Sequence, residues 1–266
     1  MPSRDLDRTI RLHIYNGSRS TRPSPVLINA CDSGFTLRAF GIDDELCRPI
    51  AQTGYPVVDV KDRLASEHLF PAAFDYTEDV VNWARSQPAR FDQAHISLSG
   101  SAQAAIWSWR SPHLGCSSAL PKTMKSQHST LLSHSTHPQI SQPTTAKKPV
   151  AKSKCMTRRI LPFFSEFCHP CYRDPREVDT RDPRVSPSYA DPARFDKNTL
   201  VITTEQDPFT VEGEELVEKV RMEGHNVECH RMQECMHGWN KKSKRGSKGW
   251  KAKDEAYGYA AEILKV

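Results

Sequence analysis

The sequence predicts an α/β fold in which helices flank a mostly parallel central sheet. Two observations lead to this prediction. Strand-like and helix-like segments alternate along the 266 residues, and several of the strand-like segments are apolar throughout. A strand with no polar alternation is typical of a parallel sheet, because helices cover both of its faces. The helical crossovers between such strands make neighbouring strands parallel.

The first part of the chain supplies strands and helices in alternation. Residues 8–15 alternate polar and apolar side chains and end at Asn16-Gly17, which predicts a half-buried antiparallel strand. The continuous apolar runs predict strands buried on both faces, and the segments between them fit helices. The predicted elements are strands at 25–30, 55–60 and 94–98 and helices at 43–52 and 78–86.

The middle of the chain has a different composition. It is rich in Ser, Thr, His, Gln, Pro and Lys, and it has no acidic residue between Asp92 and Glu166 but nine Lys or Arg. Such a segment buries too little apolar surface to offset the entropy of ordering, so we predict disorder or a long loop. We therefore expect one α/β domain in two parts, 1–105 and 160–266, interrupted by a low-complexity insert at 106–159.

The last third of the chain returns to a regular pattern. Strands are predicted at 200–204 and 226–232, with a helix at 211–223 between them and a final helix at 253–264. Gly224 follows the first of these helices, as expected for a helix C-terminus.

Composition and charge exclude several classes of protein. The net charge of +5 originates in the basic insert, so it does not predict a nucleic-acid partner for the folded part. The chain contains no run of eighteen apolar residues, which excludes a membrane-spanning helix, and the polar segment 1–8 is unlike a signal peptide. Eight cysteines without regular spacing predict free thiols and a cytoplasmic location.

An acid and a histidine follow two successive predicted strands. Asp207 comes after strand 200–204, and His237 comes after strand 226–232 within Cys235-Met236-His237-Gly238. Each could be an ordinary turn or surface residue. Together they have the chain order of a serine–acid–histidine triad, in which the acid orients a histidine that acts as general base.

The predicted strand 94–98 leads into the segment that would supply the serine. The segment reads Ser99-Gly100-Ser101-Ala102-Gln103, and Ser101 is the first candidate nucleophile, with Ser99 as the second. A nucleophile elbow needs Gly-x-Ser-x-Gly because the tight turn tolerates only small neighbours. Here Gly100 is one position too close to Ser101, and Gln103 replaces the second glycine. An ordinary Ser-Gly turn therefore remains open as an interpretation.

Two further clusters contain residue types that can bind metal ions or anions. Cysteines and histidines could form a zinc site, but no spacing matches a regular finger, and adjacent residues of a strand point to opposite faces, so we predict no metal. The cluster comprises Cys168, His169, Cys171, His225, Cys229, His230, Cys235 and His237. The basic run 241–248 could bind an anion, although a solvated loop is the favoured interpretation.

Four segments resemble one known family. Asp62–Ala72 reads Asp-Arg-Leu-Ala-Ser-Glu-His-Leu-Phe-Pro-Ala and resembles the family stretch Tyr-Arg-Leu-Ala-Pro-Glu-His-Pro-Phe-Pro-Ala. The segments 182–187, Asp207-Pro208 and His237-Gly238 also match. Over roughly residues 8–105 and 160–266 the chain thus resembles the hormone-sensitive-lipase-like carboxylesterases, the α/β-hydrolase fold-3 family, and in particular its fungal members.

The resemblance implies a serine hydrolase that cleaves small acyl esters through an acyl-enzyme and needs no cofactor. Ser101 would attack, His237 would move the proton, and Asp207 would hold His237. By the same resemblance, the backbone N–H groups of Ser33, Gly34 and Ala102 would form the oxyanion hole.

The chain departs from the family pattern at the oxyanion-hole segment and at the nucleophile elbow. Cys31 and Asp32 replace a family histidine and glycine, and a carboxylate beside a developing anion opposes catalysis. With the shortened elbow, these departures favour a second hypothesis, in which the chain is a catalytically impaired remnant or a binding scaffold.

Overall fold

A central sheet of seven strands organises the part of the chain that the structure, a computed structural model, describes: residues 1–17, 23–100, 129–133, 171–172, 174, 176–207 and 209–265. The strand order is β1-β3-β2-β4-β5-β6-β7. The antiparallel pairing of β1 with β3 and the parallel pairing of all other neighbours confirm the predicted mostly parallel α/β sheet. The strands are β1 (Leu12–Tyr15), β2 (Ser24–Ala30), β3 (Val57–Val60), β4 (Phe91–Gly100), β5 (Ser129–Ser133), β6 (Asn198–Thr204) and β7 (Asn226–Met232).

Helices cover both faces of the sheet. Within the described residues they are α1 (Asp44–Gln52), α2 (Ala72–Arg85), α3 (Thr210–Met222), α4 (Trp239–Lys242) and α5 (Lys248–Ile263). Two short 3-10 turns, Pro187–Tyr189 and Pro192–Arg194, precede β6. None of the described helices has both the length and the apolar character to cross a membrane.

The alternation of side chains along the strands divides the core between the two faces. On β2, Ile28 packs with the buried side of α2, while Leu27 packs with α1 and α5. On β6, Leu200 joins the α1 and α5 face, and Val201 packs with α3 on the other side. The apolar runs of the sequence are therefore strands buried on both faces, as their composition predicts.

The largest differences from the predicted bounds occur in three elements, which are longer than predicted. The helix predicted at 78–86 begins at Ala72, and the final helix begins at Lys248 because the Ser247 side chain caps it by accepting the N–H of Trp250. β4 runs to Gly100 and includes Ser97 and Ser99, both almost completely buried. Their small polar side chains look like turn residues in the sequence, and the paired neighbouring strand keeps them extended.

The strand β5 lies within the segment whose composition predicts disorder. Residues 129–133 pair in parallel with β4 on one side and with β6 on the other. For these five residues the structure differs from the predicted loop, because flanking strands supply the hydrogen-bond partners that an isolated polar segment lacks. The rest of the predicted insert, 106–159, lies outside the described residues.

A proline substitution tests the central position of β5. Leu131 is paired with Ser99 of β4 and Leu200 of β6. Leu131→Pro removes a donor from the ladder, so we expect it to lower the free energy of unfolding by about 3 kcal/mol in urea denaturation. Leu131→Val is the control, since valine keeps the N–H group and favours strands. Equal unfolding midpoints for the two variants would show that residues 129–133 are not a central strand.

Candidate active site

The predicted site residues follow the carboxyl ends of parallel strands, which lie along one edge of the sheet. Ala30 at the end of β2 is in register with Gly100 at the end of β4, and Thr204 of β6 is in register with Met232 of β7. Ligand sites of open α/β sheets lie at this edge. Ser101 and Ala102 come directly after β4 and lie outside the described residues, so their roles remain predictions.

The structure brings the predicted acid and histidine into direct contact. His237 Nδ1 lies 2.9 Å from Asp207 Oδ2, which places the Nδ1–H group as donor to the carboxylate. The side chain of Asp207 is almost completely buried, whereas 28% of the His237 side chain is exposed. This arrangement fixes one tautomer and leaves Nε2 to exchange a proton with a nucleophile.

Backbone hydrogen bonds hold the two loops that carry this pair. The N–H of Glu205 donates to the carbonyl oxygen of Met232 at 3.0 Å, and the N–H of Gln206 donates to that of Cys235 at 2.9 Å. Asp207 Oδ1 also accepts the N–H of Phe209 at 2.9 Å. The carboxylate is therefore oriented from both sides before any substrate binds.

The environment of His237 favours its charged form. Burial lowers the pKa of His237, but the hydrogen bond and charge of Asp207, together with the charge of Asp32, raise it more, so the net shift is upward. The charge pairing thus stabilises the folded protein below the ordinary histidine pKa. This contribution is lost as pH rises through the elevated value.

The loop after β2, which we call the oxyanion loop (residues 31–40), has the tight geometry expected of a backbone donor site. Gly34 and Phe35 have φ of +55° and +65°. The N–H of Ser33 donates to the carbonyl oxygen of Cys31 at 2.8 Å, and the N–H of Phe35 donates to Ser33 Oγ at 3.1 Å. One of the predicted oxyanion donors is therefore already engaged in this structure.

The side chain of Ser33 connects this loop to the loop after β3. Its hydroxyl donates to Asp62 Oδ2 at 2.6 Å. Burial raises the pKa of Asp62 to about 8, and the charges of Asp59, Asp43 and Asp32 add to that shift, while the Ser33 hydrogen bond opposes it. Asp62 is therefore largely neutral at pH 7.

A buried polar cluster lies beneath the same edge and was not predicted from the sequence. Asn29 Nδ2 donates to Asp59 Oδ1 at 2.7 Å and to Asp43 Oδ2 at 3.2 Å, and Asn29 Oδ1 accepts the Ser99 hydroxyl at 2.8 Å. Burial raises the pKa of Asp59 to about 7. Ser99, the second candidate nucleophile, is thus a buried member of this cluster, and its hydroxyl donates a hydrogen bond to Asn29 Oδ1.

Lys241 completes the cluster and corrects one sequence-based interpretation. The basic run 241–248 was interpreted as a solvated loop, but Lys241 lies in α4 with only 11% of its side chain exposed and forms an ion pair with Asp43. The interpretation was wrong for this residue because its partner is 198 residues earlier in the chain.

Lys241 also lies close to the carboxylate of Asp32. Lys241 Nζ lies 3.9 Å from Asp32 Oδ2, so a cation partly offsets the carboxylate that the sequence places beside the oxyanion hole. Asp43 Oδ2 in addition accepts the backbone N–H of Asp32 at 3.1 Å. Asp32 therefore lies near one cation, Lys241, which it shares with the buried carboxylate of Asp43.

Comparison with known families gives a match over most of the chain. A sequence profile described as "alpha/beta hydrolase fold" matches residues 32–241. The comparison with curated proteins gives no match.

Solved structures of esterases share this fold. An esterase from Pyrobaculum calidifontis superposes with a TM-score of 0.76 at 23% identity, covering 96% of this chain and 81% of that one. A thermophilic carboxylesterase cloned from a metagenomic library gives 0.74 at 22% identity, with 96% and 85% covered. Carboxyl esterase 2 from the fungus Tuber melanosporum gives 0.70 at 18% identity, with 96% and 82% covered. At such identities the likeness establishes the fold alone.

The Asp207–His237 contact predicts a measurable change in histidine titration. Asp207→Asn removes the negative charge but keeps an oxygen that can accept the Phe209 N–H, so we expect the pKa of His237 to fall. An NMR titration that follows the His237 Cε1–H resonance in both proteins measures the shift. The resonance of His95, which pairs with Asp92 instead, serves as an internal control. An unchanged His237 pKa would contradict the contact.

The buried ion pair predicts a stability effect that depends on both partners. Lys241→Met leaves the Asp43 carboxylate buried without its cation, so we expect a loss of about 3 kcal/mol in the free energy of unfolding. The double variant Lys241→Met/Asp43→Asn removes both charges and should recover a large part of that loss. Urea denaturation of Lys241→Met, Asp43→Asn, the double variant and the wild type tests this. Additive losses would show that the two side chains are not coupled.

Proposed function

Since the chain belongs to the alpha/beta hydrolase fold family, we propose that it is a carboxylesterase-type hydrolase that cleaves small carboxylic esters through a serine acyl-enzyme. The observation that carries this proposal is the hydrogen bond between His237 Nδ1 and the buried Asp207 carboxylate, at the carboxyl edge of the sheet. The esterases that share the fold support the same class of reaction.

In the proposed mechanism, Ser101 Oγ attacks the ester carbonyl carbon while His237 Nε2 takes the serine proton. Asp207 stabilises the imidazolium that forms. His237 then gives the proton to the departing alkoxide, leaving an acyl-enzyme on Ser101. A water molecule attacks the acyl group with His237 again as base, which releases the acid and restores Ser101.

The proposed oxyanion hole consists of the backbone N–H groups of Ser33, Gly34 and Ala102. In this structure the Ser33 N–H donates to Cys31, so substrate binding has to exchange that hydrogen bond for one to the oxyanion. Apo sites often tighten in this way when substrate binds. The positive φ of Gly34 keeps the loop in a tight turn at the proposed donors.

A second candidate function is a hydrolase-like scaffold with little or no activity. The engaged N–H of Ser33 favours it, because losing one oxyanion donor costs about 100- to 1000-fold in rate.

For either function we propose a cytoplasmic location and no nucleic-acid partner. The described cysteines, all of them free thiols, support that location.

An ester assay combined with active-site labelling tests the proposal. We expect the purified protein to hydrolyse p-nitrophenyl butyrate and Ser101→Ala to lower kcat/KM by at least about a thousandfold, because the nucleophile is lost. A fluorophosphonate probe should label the wild type, and fragmentation of the labelled peptide should place the probe on Ser101 and not on Ser99. Equal rates for wild type and Ser101→Ala, with no labelling, would instead support the inactive scaffold.

A further inference from the structure

A cavity of about 700 Å³ opens beside the oxyanion loop. Its walls come from the segment before β1, the oxyanion loop, the loop after β3 and helix α2. The volume lies within the range of small-molecule pockets. Cys31 and Ser33 form part of the wall, so a ligand in this cavity lies next to the proposed oxyanion donors.

Basic side chains dominate the charge of the cavity. Arg11, Arg38 and Lys61 are exposed residues of its lining. Among the residues that the structure describes, no carboxylate lies within ion-pair distance of any of these three. A fourth cation, Arg63, is already held by Asp5 at 2.6 Å and lies over the ring of Tyr76. Three cations are therefore available to a ligand.

The acidic side chains of the lining do not balance these cations. Asp62 and Glu67 are the acidic residues of the lining within the described part of the chain. Burial raises the pKa of Asp62 to about 8, which leaves it largely neutral at pH 7. The pKa of His68 is lowered by its burial and by the charges of Arg63 and Arg8, which disfavours its charged form. The cavity thus carries a net positive charge.

The remaining lining suits a short carbon chain. Leu37, Phe40 and Leu64 provide apolar contact between the oxyanion loop and the loop after β3. A ligand that combines a carbonyl, a short alkyl segment and an anionic group would find a partner for each of these groups in the lining. Guanidinium groups bind carboxylates with two parallel hydrogen bonds.

We propose that this cavity selects esters whose acyl or alcohol part carries a carboxylate, which Arg11, Arg38 and Lys61 bind while the ester carbonyl faces the oxyanion loop. The selection rests on the proposed function, because the reaction is the same hydrolysis. The acyl–oxygen bond breaks, and water supplies the hydroxyl of the acid and the proton of the alcohol.

A matched pair of substrates tests the selection. Monomethyl glutarate and methyl valerate have acyl chains of equal length, and only the first carries a carboxylate. Hydrolysis of both is followed by pH-stat titration for the wild type, for Arg38→Gln/Lys61→Gln and for the control Lys219→Gln, which changes an exposed cation on α3 outside the cavity.

We expect the wild type and Lys219→Gln to prefer monomethyl glutarate. The double variant should lose about tenfold in kcat/KM for that ester only, because the lost hydrogen bonds are to a charged group. Calorimetry should also show that glutarate binds the wild type, and that added salt and the double variant weaken this binding.

Two outcomes separate this inference from the proposed function. If methyl valerate is cleaved but monomethyl glutarate is no better and the double variant changes nothing, the inference is overturned while the esterase function stands. If neither ester is cleaved, the esterase function fails, and the calorimetry then tests whether the cavity binds anions. Glutarate binding that the double variant abolishes would support an anion-binding cavity, and an absence of binding would overturn it.

Discussion

The buried ion pair between Lys241 and Asp43 is the interaction on which the geometry of the active-site edge depends. Removing two charges from water is costly, and the cost is offset only when the remaining hydrogen-bonding capacity is satisfied. Asp43 meets this condition because it also accepts from Asn29 and from the backbone N–H of Asp32. One carboxylate thereby fastens the oxyanion loop, the start of α1 and helix α4 to each other.

The Lys241–Asp43 ion pair also restrains the loop that carries His237, because Lys241 follows that loop closely in the chain. α4 begins at Trp239, two residues after His237, and contains Lys241. Any displacement of the start of α1 relative to α4 would separate Lys241 from Asp43 at high energetic cost. Backbone bonds between the loops that follow β6 and β7 provide a second support for the acid and the histidine. The Asp207–His237 pair is therefore held by these bonds as well as by the link to α4.

The carboxyl edge concentrates acidic groups around the site where the proposed reaction would develop negative charge. The fold manages this in two ways: it pairs Asp43 with a cation, and it raises the pKa of Asp59 and Asp62 until they are partly or largely protonated near neutral pH. Asp207 remains the carboxylate that serves His237. The electrostatics of the edge are thus set by burial as much as by the number of acids.

The sequence predicts the parts of this structure that depend on local pattern. Strand β7 and the helix before it were placed within a residue or two, because their apolar period and the stop at Gly224 are local properties. The pairing of Asp207 with His237 was predicted because each follows one of two successive strands, and the structure brings them into contact. The Lys241–Asp43 pair could not be found in this way, since its partners are distant in the chain and a lysine run looks solvated. Asn29 was the available signal, being a lone amide inside an apolar strand.

The position of β5 has a consequence for how the sheet comes apart. Among the described residues, β5 joins β1-β3-β2-β4 to β6-β7 and forms three residue pairs with β4. The core is not divided at this strand, because Leu27 of β2 and Leu200 of β6 lie in one apolar cluster with α1 and α5. The Lys241–Asp43 ion pair also connects the two parts of the sheet. The two parts should therefore unfold in a single cooperative step, in which the Asp207–His237 contact and the structure of the oxyanion loop are lost together.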